Sequence, residues 1–134
     1  VAWKNAQGLG VQERVCFIES DVKTITENEI PQKFDLVVGN PPYISFGDPN
    51  IAPNVVRYEP HIALFAEQEG LAAILSWIDF VDRFLVSEGL FLMEIGFGQM
   101  LQVVQVLNKK NIFSSVETLK DYSGLERIIR AIRR

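Results

Sequence analysis

The residues in this sequence whose types and spacing best suit chemistry are Asn40, Pro41, Pro42 and Tyr43. They stand directly after the run Phe34-Asp35-Leu36-Val37-Val38-Gly39. The Asn40 amide both donates and accepts hydrogen bonds, the two prolines fix their own φ and lack N–H groups, and Tyr43 adds a flat ring. Unbroken apolar character after one acid predicts a strand over 34–39 that is buried on both faces. The prolines predict that it stops there, because neither can donate a ladder hydrogen bond. Residues just beyond the carboxyl end of a buried parallel strand lie where open α/β sheets hold their ligands. The expectation is therefore an amide, a rigid turn and an aromatic ring held at the mouth of a cleft. A strand-ending turn capped by an asparagine is the alternative that these four residues leave open.

Other candidates carry less. Glu94-Ile95-Gly96-Phe97-Gly98 follows an apolar run and precedes a helical pattern, as a cofactor loop does, but it lacks a third glycine, and Phe97 is bulky where a backbone would approach a ligand. His61 is the single histidine and has no partners at metal-ligand spacing, so no metal site is expected. Cys16 is the single cysteine, which excludes an internal disulfide, and its apolar surroundings predict a buried core residue. Arg127, Arg130, Arg133 and Arg134 form the one positive cluster, which reads as a solvated strand end rather than a phosphate track. A formal net charge of −4 argues against a dedicated nucleic-acid binder. With 48% hydrophobic residues the 134-residue chain has ample material for a core, and no apolar stretch approaches the ~20 residues of a membrane span.

The elements that must position these groups follow from periodicity and punctuation. Val1 to Leu9 reads as a helix tail stopped near Gly10, and Arg14 to Asp21 as a strand. Val22 to Lys33 is a polar connection with at most one helical turn. From Tyr43 to about Pro60 runs a long loop containing Pro, Asn and Gly, of the length that tends to be functional. Leu71, Ile74, Leu75, Ile78, Val81 and Leu85 recur at helical spacing, with Trp77 and Phe80 as packing residues. Gly89 is expected to end that connection, and Leu90 to Gly96 to form a second buried strand. Met100, Val103, Val104 and Leu107 mark another helix, closed by Lys109 and Lys110 at the favourable dipole end. Phe113 to Leu119 and Arg127 to Ile132 are then two strands paired antiparallel across the turn at 121–124. The order is that of an α/β fold with parallel strands and an antiparallel edge.

The four-residue turn resembles the Asn-Pro-Pro-Tyr signature of S-adenosylmethionine-dependent methyltransferases that modify planar nitrogens. Over nearly the whole chain the resemblance narrows to the HemK/PrmC family, the glutamine methyltransferases of peptide-chain release factors. It is carried by Lys4-Asn5-Ala6, by Ser20-Asp21, by 34–44 and by Arg57-Tyr58-Glu59-Pro60. Ala63-Leu64, Glu69-Gly70-Leu71, Met93-Glu94-Ile95-Gly96 with Gln99, and Asp121-Tyr122-Ser123-Gly124 with Glu126-Arg127 complete it.

That resemblance implies a Rossmann-like class I methyltransferase sheet ordered third, second, first, fourth, fifth, seventh, sixth. This chain would supply it incompletely, residues 1–134 being the C-terminal portion of one catalytic domain. The first two strands, the glycine-rich cofactor loop and an N-terminal helical domain would then be absent, and the strand through Val37 would become an exposed apolar edge. The implied reaction transfers a methyl group from S-adenosylmethionine to the side-chain amide of the glutamine in a release factor's Gly-Gly-Gln motif. Asn40, Pro41, Pro42 and Tyr43 would be the catalytic and substrate-binding residues. The Asn40 oxygen and Pro41 carbonyl would hold the amide hydrogens, Pro42 would hold the turn, and Tyr43 would pack on the planar group. Asp21, Val22 and Asn40 would meet the cofactor, and Glu59 could brace the motif loop. The alternatives are an adenine-N6 or cytosine-N4 nucleic-acid methyltransferase, or an inactive fragment that binds no cofactor. The expected partner is a release factor, with no membrane and no direct nucleic-acid binding; the expected compartment is the cytoplasm, an organelle being left open.

Overall fold

A computed structural model describes every residue of the chain except Asn50 and Glu69. The chain divides into two compact units, Val1–Pro31 and Gln32–Arg134.

In the first unit, helix α1 (Ala2–Gly8) is capped by Leu9 and followed by Gly10, whose φ of +67° is the left-handed conformation that glycine adopts without strain. A single 3-10 turn follows at Gln12–Arg14. Trp3 and Phe17 meet edge to face with ring centroids 5.6 Å apart. At the far end Glu29 accepts hydrogen bonds from the Thr26 N–H, the Thr26 hydroxyl and the Ser20 hydroxyl, each at 2.9 Å. The Thr26 backbone donor leads the causes that hold the Glu29 carboxyl below its ordinary value. The strand expected over Arg14 to Asp21 is not formed. Residues 15–20 have no regular structure, and Val15, Phe17 and Ile18 are exposed. A strand exists only as one member of a ladder, and among the described residues this segment has no pairing partner. Cys16, expected in a core, is exposed for the same reason.

The second unit is built on a four-stranded mixed sheet in the order β1-β4-β6-β5. The strands are β1 (Phe34–Gly39), β4 (Leu85–Glu94), β5 (Phe113–Lys120) and β6 (Glu126–Arg133). β1 runs parallel to β4, while β4 with β6 and β6 with β5 are antiparallel. This is the order that the resemblance implies for its fourth, fifth, seventh and sixth strands. Helix α4 (Ala72–Phe84) carries β1 across to β4, the connection that parallel neighbours require. It buries Ile74, Ile78, Val81 and Phe84, one stripe at helical spacing, and Trp77 and Phe80 pack as expected. Helix α5 (Met100–Lys110) buries Val103 and Leu107 and stops at Asn111, left-handed at φ 57°. Between helices and sheet lie Val37, Phe91, Met93, Ile95, Ile129 and Ala131, each contributing about 1.5–3 kcal/mol if fully buried, less for the alanine.

Two details of the sheet differ from expectation. β1 is buried on one face only: Val37 is 6% exposed, but Leu36 and Val38 are 50% and 63% exposed. The apolar run that suggested two covered faces has one, because among the described residues nothing packs closely enough on Leu36 and Val38 to bury them. Gly89 does not end the α4–β4 connection. β4 begins four residues earlier, at Leu85, and bulges around Glu88 (φ 61°), so that the register on β1 jumps from Phe34–Leu85 to Leu36–Leu90.

The segment expected to be a loop up to Pro60 also holds short elements. Strand β2 (Ile44–Ser45) pairs in parallel with β3 (Phe65–Ala66), and helices α2 (Pro53–Tyr58) and α3 (His61–Leu64) lie between them. Pro53 opens α2, where its missing N–H costs nothing.

Candidate functional site

The carboxyl ends of β1 and β4, parallel neighbours, bring the Asn-Pro-Pro-Tyr turn against the segment 94–99. Gly39 lets β1 end close beneath α4, since a Cβ there would lie 3.0 Å from the Trp77 ring. Pro41 is buried, Pro42 and Tyr43 are half-buried, and Asn40 is exposed.

Tyr43 is fixed at both ends. Its hydroxyl donates to Glu94 Oε1 at 2.5 Å, a short charge-assisted bond. Its carbonyl accepts from Gln99 Nε2 at 3.0 Å, and Gln99 Oε1 in turn accepts from the Gly96 N–H at 2.8 Å. Gln99 is 7% exposed. Two glycines make room for this knot. A Cβ on Gly70 (φ +85°) would collide with the Tyr43 carbonyl and lie 2.6 Å from Gln99 Nε2, while one on Gly96 would lie 2.7 Å from Gln99 Oε1. Burial, then the hydrogen bond to Glu94, then the charge of Glu94 push the Tyr43 phenol up to about 12, against a smaller opposing pull from Arg127. Tyr43 therefore stays protonated throughout the neutral range, with its ring held from both ends.

With the Tyr43 hydroxyl and carbonyl both engaged, two other acceptors of the turn are the Asn40 side chain and the Pro41 carbonyl. No hydrogen bond among the described residues takes either of them. A cleft of about 990 Å3 opens beside the turn over Tyr43, Ser45, Asp48, Gly96, Gln102 and Arg127. Arg127 bonds the Ile95 carbonyl at 3.4 Å and approaches Asp121 to 3.8 Å, while the Ile95 N–H donates to the Arg127 carbonyl at 2.9 Å. The other arginines of the basic cluster are likewise engaged within the sheet: Arg130 with Glu117, Arg133 with the Leu85 carbonyl, and Arg134 with the Phe113 carbonyl.

Asp21 and Val22 belong to the first unit. Asp21 is exposed and uses Oδ1 to accept the Lys23 N–H at 2.8 Å, and Val22 is half-buried. Glu59 is exposed at the end of α2, and no side-chain hydrogen bond among the described residues ties it to the turn. His61 lies 3.1 Å from the Val56 carbonyl and edge-on to Phe65, and no metal-ligating cluster occurs among the described residues. Glu69 lies outside the described residues. The residues without an assigned role in the sequence reading are Glu94, Gln99 and Gly70. The one local signal was Glu94 itself, an acid closing an otherwise apolar strand.

An α/β layout with this mixed sheet is compatible with the class I methyltransferase fold. The chain is 45% identical over 96 residues to a release factor glutamine methyltransferase of Pasteurella multocida, covering 72% of this chain and 32% of that protein. The protein of the same name from Clostridium acetobutylicum is 36% identical over 132 residues, covering 96% of this chain and 45% of that protein. Its counterpart from Yersinia pestis is 35% identical over 128 residues, covering 96% and 44%. No protein-family model matches. Over most of its length, then, the chain is similar in sequence to release factor glutamine methyltransferases. It spans between about a third and under a half of the length of these relatives. Among the described residues no helix is long and apolar enough to cross a membrane.

Proposed function

We propose that this chain carries the amide-holding turn of an enzyme that methylates the glutamine side chain in the Gly-Gly-Gln motif of peptide-chain release factors. The observation that carries the reading is the pair of acceptors left open beside a locked Tyr43. A side-chain amide nitrogen is a poor nucleophile because its lone pair is delocalised into the carbonyl. The Asn40 oxygen and the Pro41 carbonyl, each accepting one N–H of the substrate amide, would fix the amide plane so that the lone pair, perpendicular to it, faces the methyl donor. Tyr43, held by Glu94 and Gln99, would be the flat surface on which the amide plane rests, with Pro42 fixing the turn. Positioning and preorganised acceptors would then supply most of the acceleration.

The methyl donor in this reading is S-adenosylmethionine, whose sulfonium supplies an electrophilic methyl group. The exposed Asp21, with one carboxylate oxygen committed to its own turn and the other open to a hydroxyl or amine, suits the polar side of such a group. Val22, beside it in the chain, offers apolar contact. A nucleic-acid amine as substrate is less favoured, because the relatives are named for release factors and the arginines are engaged within the sheet.

The test supplies labelled S-adenosylmethionine to the gene's full-length product. Release factor, its Gly-Gly-Ala variant and an adenine-containing oligonucleotide are offered side by side. Label on the intact release factor alone is the expected result. Label on the oligonucleotide would overturn the substrate. Titrating S-adenosylmethionine into the 134-residue chain shows in addition whether these residues suffice to bind it.

A further inference from the structure

We infer that Gln99 is a positioning residue: its side-chain amide sets the height of the Asn-Pro-Pro-Tyr turn above the end of β4. Gln99 is the one polar side chain among the buried residues described, and both ends of its amide have a partner fifty or more residues apart in the chain, Tyr43 on one side and Gly96 on the other. The assignment of oxygen and nitrogen is forced by those partners, since an N–H must meet an acceptor and a carbonyl must meet a donor. Its backbone is pinned as well: the Gln99 N–H donates to the Gly96 carbonyl at 3.2 Å, and its own carbonyl receives the Val103 N–H at 3.0 Å. The amide thus hangs from the first turn of α5 and reaches across to the motif.

Glutamine is specified by this arrangement. Glutamate at the same place could still accept from Gly96 but would turn an ionised oxygen toward the Tyr43 carbonyl, acceptor against acceptor. Leucine would fill the space and satisfy neither partner. Because Asn40 and Pro41 lie within three residues of Tyr43, a displaced Tyr43 carbonyl carries both substrate acceptors with it.

The inference rests on the proposed amide methylation, and the experiment separates the two. Full-length protein with Gln99→Glu or Gln99→Leu is assayed for kcat and KM on release factor across acid to neutral pH, with thermal melting and hydrogen exchange of the Gly96 amide recorded beside it. Gln99→Leu is expected to lose about 100-fold in kcat, as a misplacement near 1 Å does, with faster exchange at Gly96. Gln99→Glu is expected to keep Gly96 protected, to lose kcat similarly at neutral pH, and to recover relative to the unsubstituted protein as the pH falls. A protonated carboxyl regains a donor for the Tyr43 carbonyl, whereas the natural amide does not titrate. Unchanged kcat in both variants, or a Gln99→Glu deficit that ignores pH, would overturn the positioning role. Unfolding of both variants would assign Gln99 to the fold and overturn it too. Absence of methyl transfer by the unsubstituted protein would instead sink the proposed reaction, and the Gly96 exchange pattern would still report on the clamp.

Discussion

Replacing Gly70 by alanine strikes the hydrogen bond between Gln99 and the Tyr43 carbonyl that holds the motif. The new Cβ would press on the Tyr43 carbonyl and lie 2.6 Å from Gln99 Nε2, so reaching the 3.0 Å below which such contacts essentially never occur requires Nε2 to retreat about 0.4 Å, and the carbonyl further. Both atoms are the two ends of one hydrogen bond, so retreat weakens or breaks it, and an unmet buried acceptor costs ~1–3 kcal/mol. The left-handed backbone adds ~1–2 kcal/mol for any residue with a Cβ. Gly98 separates the two contributions. It is also left-handed, at φ +82°, but an added Cβ there meets nothing within 4 Å, so Gly98→Ala pays the backbone strain alone. Urea unfolding of the two variants should place Gly70→Ala below Gly98→Ala by roughly 0.3–3 M, the ~1–3 kcal/mol of the lost acceptor divided by slopes of ~1–3 kcal/mol per molar for small proteins. Methyl transfer by full-length Gly70→Ala should fall by up to about 100-fold with cofactor affinity retained. Equal midpoints for the two variants, with transfer intact, would refute the claim that this glycine makes room for the clamp.

Further outcomes follow from the same geometry. Asn40→Ala in the full-length protein should abolish methyl transfer and leave S-adenosylmethionine affinity nearly intact, as equilibrium binding and a radiolabel assay would read; because Asn40 is exposed, stability should move by no more than ~0.5 kcal/mol. Glu94→Gln should bring the Tyr43 phenol down from about 12 toward its ordinary 10.0 without reaching it, since burial, the first cause, remains; absorbance titration against a Tyr43→Phe reference measures this. A raised phenol pKa stabilises the folded state below 10 and loses that effect as pH rises through about 12, so neutral-range activity should show no step belonging to Tyr43. Val38→Lys, on the open face of the edge strand, should leave stability unchanged within ~0.5 kcal/mol and reduce self-association in sedimentation, whereas unfolding would show that face to be covered.

Much of the second unit was legible because its signals are local. The α4 stripe, the two lysines closing α5, and the hairpin around 121–124 each declare themselves within a dozen residues. The Asn-Pro-Pro-Tyr turn was legible for the same reason. What failed depends on partners. Arg14 to Asp21 has strand composition, but composition cannot supply a neighbouring strand. Phe34 to Gly39 shows an apolar run, yet covering its second face is decided elsewhere. Gly89 resembled a connection because the bulge at Glu88 is a matter of register with β1 rather than of sequence. The clamp was invisible because Glu94 and Gln99 lie 51 and 56 residues from Tyr43. Pro53 at the start of α2 was a readable signal that a long, polar stretch concealed.

The dependence of Tyr43 on distant residues bears on transplantation. A designer who copies Asn40 to Tyr43 onto the strand end of another scaffold would move the atoms that touch an amide and leave behind those that set their position. A working graft has to include Glu94, Gly96 and Gln99 from the adjacent parallel strand, together with a glycine in the place of Gly70. The smallest portable unit of this site is therefore two neighbouring strand ends and the start of a helix, not a tetrapeptide.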